Sequence, residues 1–276
     1  MTDQPSVLLN DGHRIPQVGL GVWQVAQDVA AASVRKALET GYRHVDTAAI
    51  YGNEHEVGEG LRDSGVARGD IFLTTKLWND AQGYDSALRA FDESLARLGV
   101  DYVDLYLIHW PAPRKDLFVE TWKALITLKN DGRARSIGVS NFNAEHLERI
   151  VGETGVVPVL NQIELHPRFQ QQALRAFHAA HGIATQSWSP LGQGTLFDDP
   201  VIGRIAQKHG RTPAQTIIRW HLDNGLIAIP KSVTPARIAE NFGVFDFRLD
   251  ADDLAAIAAL DSAGGRIGPD PLTADF

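Results

Sequence analysis

Short apolar runs rich in β-branched residues recur along the chain, and between them apolar positions fall three and four residues apart. The short runs predict strands at 18–22, 43–46, 71–75, 102–108, 136–139, 157–162, 184–187 and 226–229. The stretches of longer period predict helices at 28–40, 53–64, 84–98, 116–130, 144–152 and 170–181, then at 200–209, 213–223, 235–241 and 250–261. Thr212 ahead of Pro213 has the form of a helix start, a capping hydroxyl before a first-turn proline. Asn10-Asp11-Gly12 predicts a hairpin turn near the N-terminus.

Strands alternating with helices through the whole length point to a parallel sheet, because parallel neighbours need a crossover and a helix supplies it. Eight such units is the number that closes a barrel of about 250 residues. The expected architecture is a (β/α)8 TIM barrel with an N-terminal β-hairpin; a doubly wound open sheet is the competing arrangement. No Pro/Gly/Ser-rich linker, charge block or low-complexity segment divides the chain, so residues 1–276 are expected to form one domain.

Composition narrows the function classes. At 276 residues and 44% hydrophobic the chain can bury a substantial core. A net charge of −8 leaves no cationic excess to neutralise a nucleic acid backbone, so no nucleic acid partner is expected. Local cations can still hold one small phosphorylated ligand. The absence of cysteine excludes disulfides, thiolate nucleophiles and Cys-ligated zinc. No apolar run approaches the ~20 residues of a membrane helix, so no membrane partner is expected. Residues 1–5 lack the basic and apolar regions of a secretory signal. The expectation is a cytoplasmic monomer.

Several motifs are incomplete. Gly19-Leu20-Gly21-Val22-Trp23-Gln24 begins like a dinucleotide fingerprint, but Gln24 replaces its third glycine. Gly138-Val139-Ser140-Asn141-Phe142 lacks the final glycine of a nucleophile elbow, and no Walker A sequence occurs. His178 and His181 share a helical face without a third ligand, so they are expected on a solvated face and no metal is expected.

In a barrel of this kind the chemistry sits on loops leaving the carboxyl ends of the strands. The polar residues at those ends are Asp46 with Tyr51 on the next loop, Lys76, His109, Ser140-Asn141, Gln162, Trp188 and Lys231-Ser232. Singly, each has an ordinary explanation, such as a helix cap for Asp46 or a solvated charge for Lys76. Together, an acid, a phenol, an amine and an imidazole on one rim suit carbonyl reduction by a nicotinamide. As hydride reaches the carbon, the oxygen needs a proton. A phenol of ordinary pKa near 10 serves poorly at neutral pH unless a cation stabilises its anion. Lys76 can supply that charge, Asp46 can keep Lys76 an ammonium, and His109 can orient the substrate oxygen by a hydrogen bond.

Over nearly its full length the sequence resembles the aldo-keto reductase superfamily. The matching segments are Gly41-Tyr42-Arg43-His44-Val45-Asp46-Thr47-Ala48 with Tyr51-Gly52-Asn53-Glu54, then Leu105-Tyr106-Leu107-Ile108-His109-Trp110-Pro111. Gly138 to Phe142, Asn161-Gln162-Ile163-Glu164-Leu165-His166-Pro167, and Ile229-Pro230-Lys231-Ser232-Val233 with Arg237, Glu240 and Asn241 complete the set. The resemblance implies an NADPH-dependent reductase acting on a small carbonyl substrate, with a tetrad of Asp46, Tyr51, Lys76 and His109 and Tyr51 as general acid. It implies that Ser140, Asn141 and Gln162 hold the nicotinamide carboxamide while Trp188 stacks on the ring. Ser140 and Asn141 can also serve as a cap for the helix at 144–152. Lys231 and Arg237 would bind the 2′-phosphate, Ser232 and Val233 would assist, Leu191 would join the cofactor site, and Glu240 and Asn241 would contact the adenine. Trp23, Trp78 and Trp110 follow predicted strands and are expected around the substrate, whereas Trp122 and Trp220 fall in helices and are expected to pack.

The chain resembles the compact bacterial branch, which includes 2,5-diketo-gluconate reductases and methylglyoxal-type aldehyde reductases. Little sequence follows Asp261, so the extended C-terminal loop of longer members is nearly absent and an open pocket is expected. Two other functions remain open at this level. A redox-sensing subunit would need Lys231 and Arg237 but has little use for Tyr51. A phosphate-binding isomerase leaves Asn141, Gln162 and Trp188 unexplained.

Overall fold

Gly12 adopts φ 91°, a left-handed conformation that a side chain would strain, and there the chain doubles back. The hairpin pairs β1 (Ser6–Leu8) with β2 (Arg14–Pro16), Val7 opposite Ile15. The computed structural model describes residues 4–274 and 276. Leu9 and Ile15 turn inward and pack with Leu105, Leu107, Leu160 and Ile227, so the hairpin plugs one end of the sheet.

The remaining strands are β3 (Leu20–Gly21), β4 (His44–Asp46), β5 (Phe72–Leu77), β6 (Val103–Ile108), β7 (Ala134–Ser140), β8 (Leu160–Glu164), β9 (Ala184–Trp188) and β10 (Ile227–Ala228). Each is parallel to the next in sequence order. The helices α1 (Gln27–Thr40), α2 (Glu54–Asp63), α3 (Tyr84–Leu98), α4 (Phe118–Asn130), α5 (Ala144–Thr154) and α6 (Gln172–Ala180) cross between strands. They are followed by α7 (Pro200–His209), α8 (Pro213–Asp223), α9 (Pro235–Phe242) and α10 (Ala251–Ala258). The first and last strands meet: Val18 bridges Ala228 in parallel, and Gly19 N–H donates to Ala228 O at 2.9 Å. The sheet is a closed barrel, and the open arrangement is excluded.

The seam explains the broken glycine motif. A Cβ on Gly19 would lie 2.6 Å from His44 Nδ1, and one on Gly21 would lie 2.7 Å from Ile229 O. These glycines let the closing strand approach its neighbours; they are not remnants of a phosphate loop.

Elements begin and end where backbone chemistry dictates. Helix α4 starts at Phe118 rather than 116 because Asp116 has φ 52°, and α6 starts at Gln172 because Gln171 has φ 48°. Strand β8 starts after Pro158, which has no N–H to give a ladder. Strand β5 runs on through Leu77, so Lys76 lies within the strand, not past it. Thr212 caps α8, accepting from Gln215 N–H, with Pro213 in the first turn.

Trp122 and Trp220 are buried packing residues, as their helical positions predict. The expectation for His178 was wrong. Its side chain is buried against the barrel, with Nε2 3.0 Å from Asn161 Nδ2 and Nδ1 2.9 Å from Thr185 Oγ1. Burial pulls its pKa down to about 4, so it packs as a neutral ring, and only His181 is on the solvated side.

Candidate active site

The pairing of β4 with β5 sets Asp46 opposite Thr74, and Lys76 follows two residues on, facing the same way. Lys76 is fully buried. Its ammonium donates to Asp46 Oδ1 at 2.5 Å, Thr47 O at 2.9 Å and Tyr51 Oη at 3.4 Å. Asp46 Oδ2 accepts from Gln162 Nε2 at 2.8 Å, and the same amide group donates to Gln186 Oε1 at 2.6 Å. Asp46 is therefore an ion-pair partner, not a helix cap.

Burial opposes the charged form of Lys76, but Asp46 and Tyr51 outweigh it and hold its pKa above the ordinary lysine value. Burial also pushes the Tyr51 phenol up. Lys76 pulls it back and Asp46 adds to the rise, leaving it above the ordinary tyrosine value. The phenol is thus held protonated, with the cation that would stabilise its anion already in contact. Burial and the Lys76 charge drive the His109 pKa well below the ordinary value, so its imidazole is neutral. His109 Nδ1 has no hydrogen-bond partner among the described residues. The ring meets Tyr51 and Trp78 edge-on, with centroids 5.7 and 5.2 Å away.

The segment Tyr51-Gly52-Asn53-Glu54 fixes the phenol. A 3-10 turn (Ala49–Tyr51) ends on Gly52 at φ 66°. Buried Asn53 then donates to Val22 O at 3.0 Å and Val25 O at 3.1 Å, and accepts from Thr47 Oγ1 at 3.0 Å. Glu54 takes Thr75 Oγ1 at 2.5 Å and Arg97 Nε at 2.7 Å. Asn53 and Glu54 belong to the matched segment, but their clamping role depends on contacts that the sequence does not display.

Across the barrel, Asn141 has φ 62°. Its Nδ2 donates to His109 O at 2.9 Å and Ser140 Oγ at 3.1 Å, and its Oδ1 accepts from Trp188 Nε1 at 2.8 Å. Ser140 Oγ donates to Gln162 O at 2.8 Å. Neither residue caps α5, whose N-cap is Asn143 with a capping box to His146.

These side chains open into a cavity of about 640 Å³ lined by Asp46, Tyr51, His109, Asn141, Gln162 and Trp188, with Trp23, Trp78 and Trp110 as its aromatic walls. An adjoining lobe of about 590 Å³ holds Leu191, Lys231, Ser232, Val233, Arg237, Glu240 and Asn241. Trp23, Gln24, Ser189, Pro190, Gln193 and Lys231 line both, so the two lobes form one groove.

The second lobe has the donors an anion needs. Lys231 and Arg237 are exposed and make no ion pair among the described residues. Helices α7, α8 and α10 are capped by the side chains of Asp199, Thr212 and Asp250, whereas no side chain caps α9. Free N–H groups beside two unpaired cations suit a phosphate. Glu240 Oε1 is engaged by Thr212 Oγ1 at 2.8 Å.

The sequence did not reveal the contribution of the C-terminal segment. Ile267, Gly268, Pro269 and Phe276 line the cavity. The Phe276 ring stacks on Trp78 at 5.7 Å and meets Trp110 edge-on at 5.2 Å, and its carbonyl accepts from Asn79 Nδ2 at 2.9 Å. The pocket has a wall where an open face was expected.

Known proteins resemble the chain in sequence and fold. The chain is 60% identical over 272 residues to an aldo-keto reductase of Mycolicibacterium smegmatis, covering 99% of this chain and 98% of that one. It is 54% identical over 273 residues to the methylglyoxal reductase DkgA of Escherichia coli, covering 98% of each. The crystal structure of a Gox0644 mutant in complex with NADPH superposes with a TM-score of 0.96 at 60% identity, over 99% of both chains. The model of the aldo/keto reductase family matches residues 17–262, and the chain belongs to that family.

Proposed function

We propose that the chain reduces aldehydes, ketones or dicarbonyls to alcohols with NADPH, and that Tyr51 is the general acid. The observation that carries this reading is the buried line from Asp46 through Lys76 to Tyr51, ending at the cavity beside a neutral His109. NADPH, when bound, supplies a hydride to the carbonyl carbon. The chain's own residues manage the oxygen. Tyr51 Oη gives up its proton to that oxygen, and the Lys76 ammonium 3.4 Å away stabilises the phenolate left behind. Asp46 keeps Lys76 charged and aimed. His109, as a neutral ring, offers one N–H to the substrate oxygen.

Gln162 has both amide hydrogens committed to Asp46 and Gln186, so its oxygen is what it offers to a carboxamide N–H. Asn141 likewise offers Oδ1, with Ser140 fixing it from below. The indole of Trp188, tied to Asn141, is the stacking face for the nicotinamide. Lys231, Arg237 and the uncapped start of α9 take the 2′-phosphate, with Ser232 and Val233 beside them. Leu191, Glu240 and Asn241 complete the nucleotide lobe. Trp23, Trp78 and Trp110, joined by Phe276, favour a compact carbonyl substrate with an apolar side. A methylglyoxal reductase among the relatives makes such a dicarbonyl the first compound to try.

Steady-state turnover of a dicarbonyl, a keto-sugar and an aromatic aldehyde, each with NADPH and NADH, tests the reading. Turnover with NADPH exceeding that with NADH is expected. NADPH binding without turnover of any carbonyl would favour a redox sensor, and activity without nicotinamide would favour an isomerase.

A further inference from the structure

Glu164, the last residue of β8, is 1% exposed, yet it belongs to neither the tetrad nor the nucleotide lobe. Its carboxylate accepts two consecutive backbone N–H groups from the C-terminal segment, Ile267 at 2.6 Å on Oε1 and Gly268 at 2.8 Å on Oε2. His166 Nε2 lies 3.1 Å from Oε1. Burial disfavours this carboxylate, but the bonds from His166, Ile267 and Gly268 outweigh it and hold its pKa below the ordinary value. The segment is fixed a second time where Ser262 N–H donates to Arg168 O at 3.1 Å.

Gly268 shows what the latch holds in place. A Cβ there would stand 2.5 Å from Trp188 Cη2 and 3.1 Å from Glu164 Oε2. The backbone at 268 therefore lies against the benzo ring of the indole, at Cη2 and Cζ2, while the indole N–H is bonded to Asn141. Trp188 is held at its N–H and at its benzo ring, and the second contact comes from the stretch of chain that Glu164 anchors.

We propose that Glu164 and Gly268 are positioning residues: the Glu164 carboxylate pins the backbone of Ile267 and Gly268 against Trp188 and so fixes the indole face. The proposal rests on the reading of Trp188 as the nicotinamide platform. Glu164 acts through the backbone and the indole, and touches neither substrate nor cofactor. Loosening this edge lets the platform tilt, and a misplacement of about 1 Å in a reacting group can cost ~10²-fold in rate.

Three variants test it: Glu164→Gln, Gly268→Ala and Trp188→Ala. In the free protein, amide hydrogen exchange at Ile267 and Gly268 is expected to be slow in the parent and about 10-fold faster or more in Glu164→Gln, which loses two charge-assisted bonds. NADPH affinity, read by tryptophan quenching, should change by less than about 3-fold in Glu164→Gln and Gly268→Ala, because the cations that hold the nucleotide lie in the other lobe. That retained affinity also shows that each variant is folded. In both, kcat should fall by ~10-fold or more while the KM for NADPH stays near the parent's. Fast exchange at 267 and 268 with parental kcat would overturn the proposal, as would a loss of NADPH affinity in step with kcat. Parental turnover in Trp188→Ala would also overturn it, but would trace the failure to the platform reading and not to the latch.

Discussion

Lys76→Met removes the cation from a carboxylate that is itself 1% exposed and lies 2.5 Å from the ammonium. Among the described residues, only the Gln162 amide, at 2.8 Å, would remain as a donor to the Asp46 carboxylate. Breaking a buried ion pair by deleting one partner costs about 3–5 kcal/mol, because the survivor is stranded without compensation. At roughly 2–4 °C per kcal/mol for a domain of this size class, melting should fall by about 6–20 °C. Asp46→Asn should cost a comparable amount, since it strands the ammonium. The double variant Asp46→Asn with Lys76→Met buries no charge, and it should melt near the parent. Turnover should not follow stability. All three variants leave Tyr51 without its supported cation, and each should lose ~10²- to 10⁴-fold in kcat. Thermal unfolding by circular dichroism, beside NADPH consumption at saturating aldehyde, separates the two effects. If Lys76→Met melts within about 2 °C of the parent, the buried-pair energetics are wrong. If the double variant regains turnover along with stability, Lys76 does not support the general acid.

Tyr51→Phe should keep NADPH affinity and lower kcat by at least ~10²-fold; parental turnover would remove Tyr51 as the proton donor. Arg237→Ala should weaken NADPH binding about 10-fold, the lower end for an exposed charge-assisted contact, and leave NADH binding nearly unchanged; equal losses for both cofactors would exclude 2′-phosphate recognition. Burial holds His44 and His178 at about 4, below the ordinary 6.5 that they regain on unfolding. As pH falls through 6.5 the unfolded chain takes up protons first, so stability is full above 6.5 and drains away toward pH 4. Urea midpoints should therefore drop between neutral pH and about pH 5, and a flat profile would contradict the neutral packing of these rings.

The order of elements was legible because strand and helix periods differ, and eight repeats leave few ways to bury their faces. The cluster of Asp46, Tyr51, Lys76 and His109 was legible because each of these polar residues falls at or near the carboxyl end of a predicted strand, where together they have no ordinary packing role. What escaped depends on pairings between distant segments. Asp116 and Gln171 start their helices late through left-handed backbone that nothing in the local pattern announces. His178 was misplaced because spacing defines a helical face without saying which face meets the barrel; Asn161 and Thr185, on neighbouring strands, settle it. Gly19 and Gly21 resembled part of a phosphate loop because close backbone approach demands glycine whether the neighbour is a pyrophosphate or, as here, a histidine ring and a carbonyl. The wall at 267–269 was invisible for a simpler reason. It is held by two backbone N–H groups, and a backbone donor leaves no trace in residue identity.

The two lobes of the groove divide the charge in a way that fits their different tasks. Around Tyr51, the ammonium of Lys76 and the carboxylate of Asp46 cancel, Tyr51 is protonated and His109 is neutral, so the end of the groove proposed to react carries no net charge. On the proposed reading, a charge that develops on a substrate oxygen there meets a cation already in place, and Asp46, the one carboxylate side chain among the described residues lining that cavity, is engaged by Lys76 and Gln162. In the other lobe Lys231 and Arg237 stand without carboxylate partners among the described residues. That imbalance is costly to maintain on a folded surface but useful toward an anionic ligand. Affinity drawn from a part of the cofactor that does not react can be used to hold the reacting end in place. On this division, changes at Arg237 should act on binding alone, and changes at Tyr51 or Lys76 on the chemical step alone. Glu164 would act on the chemical step from outside that cluster, by fixing the Trp188 indole that lines the first lobe.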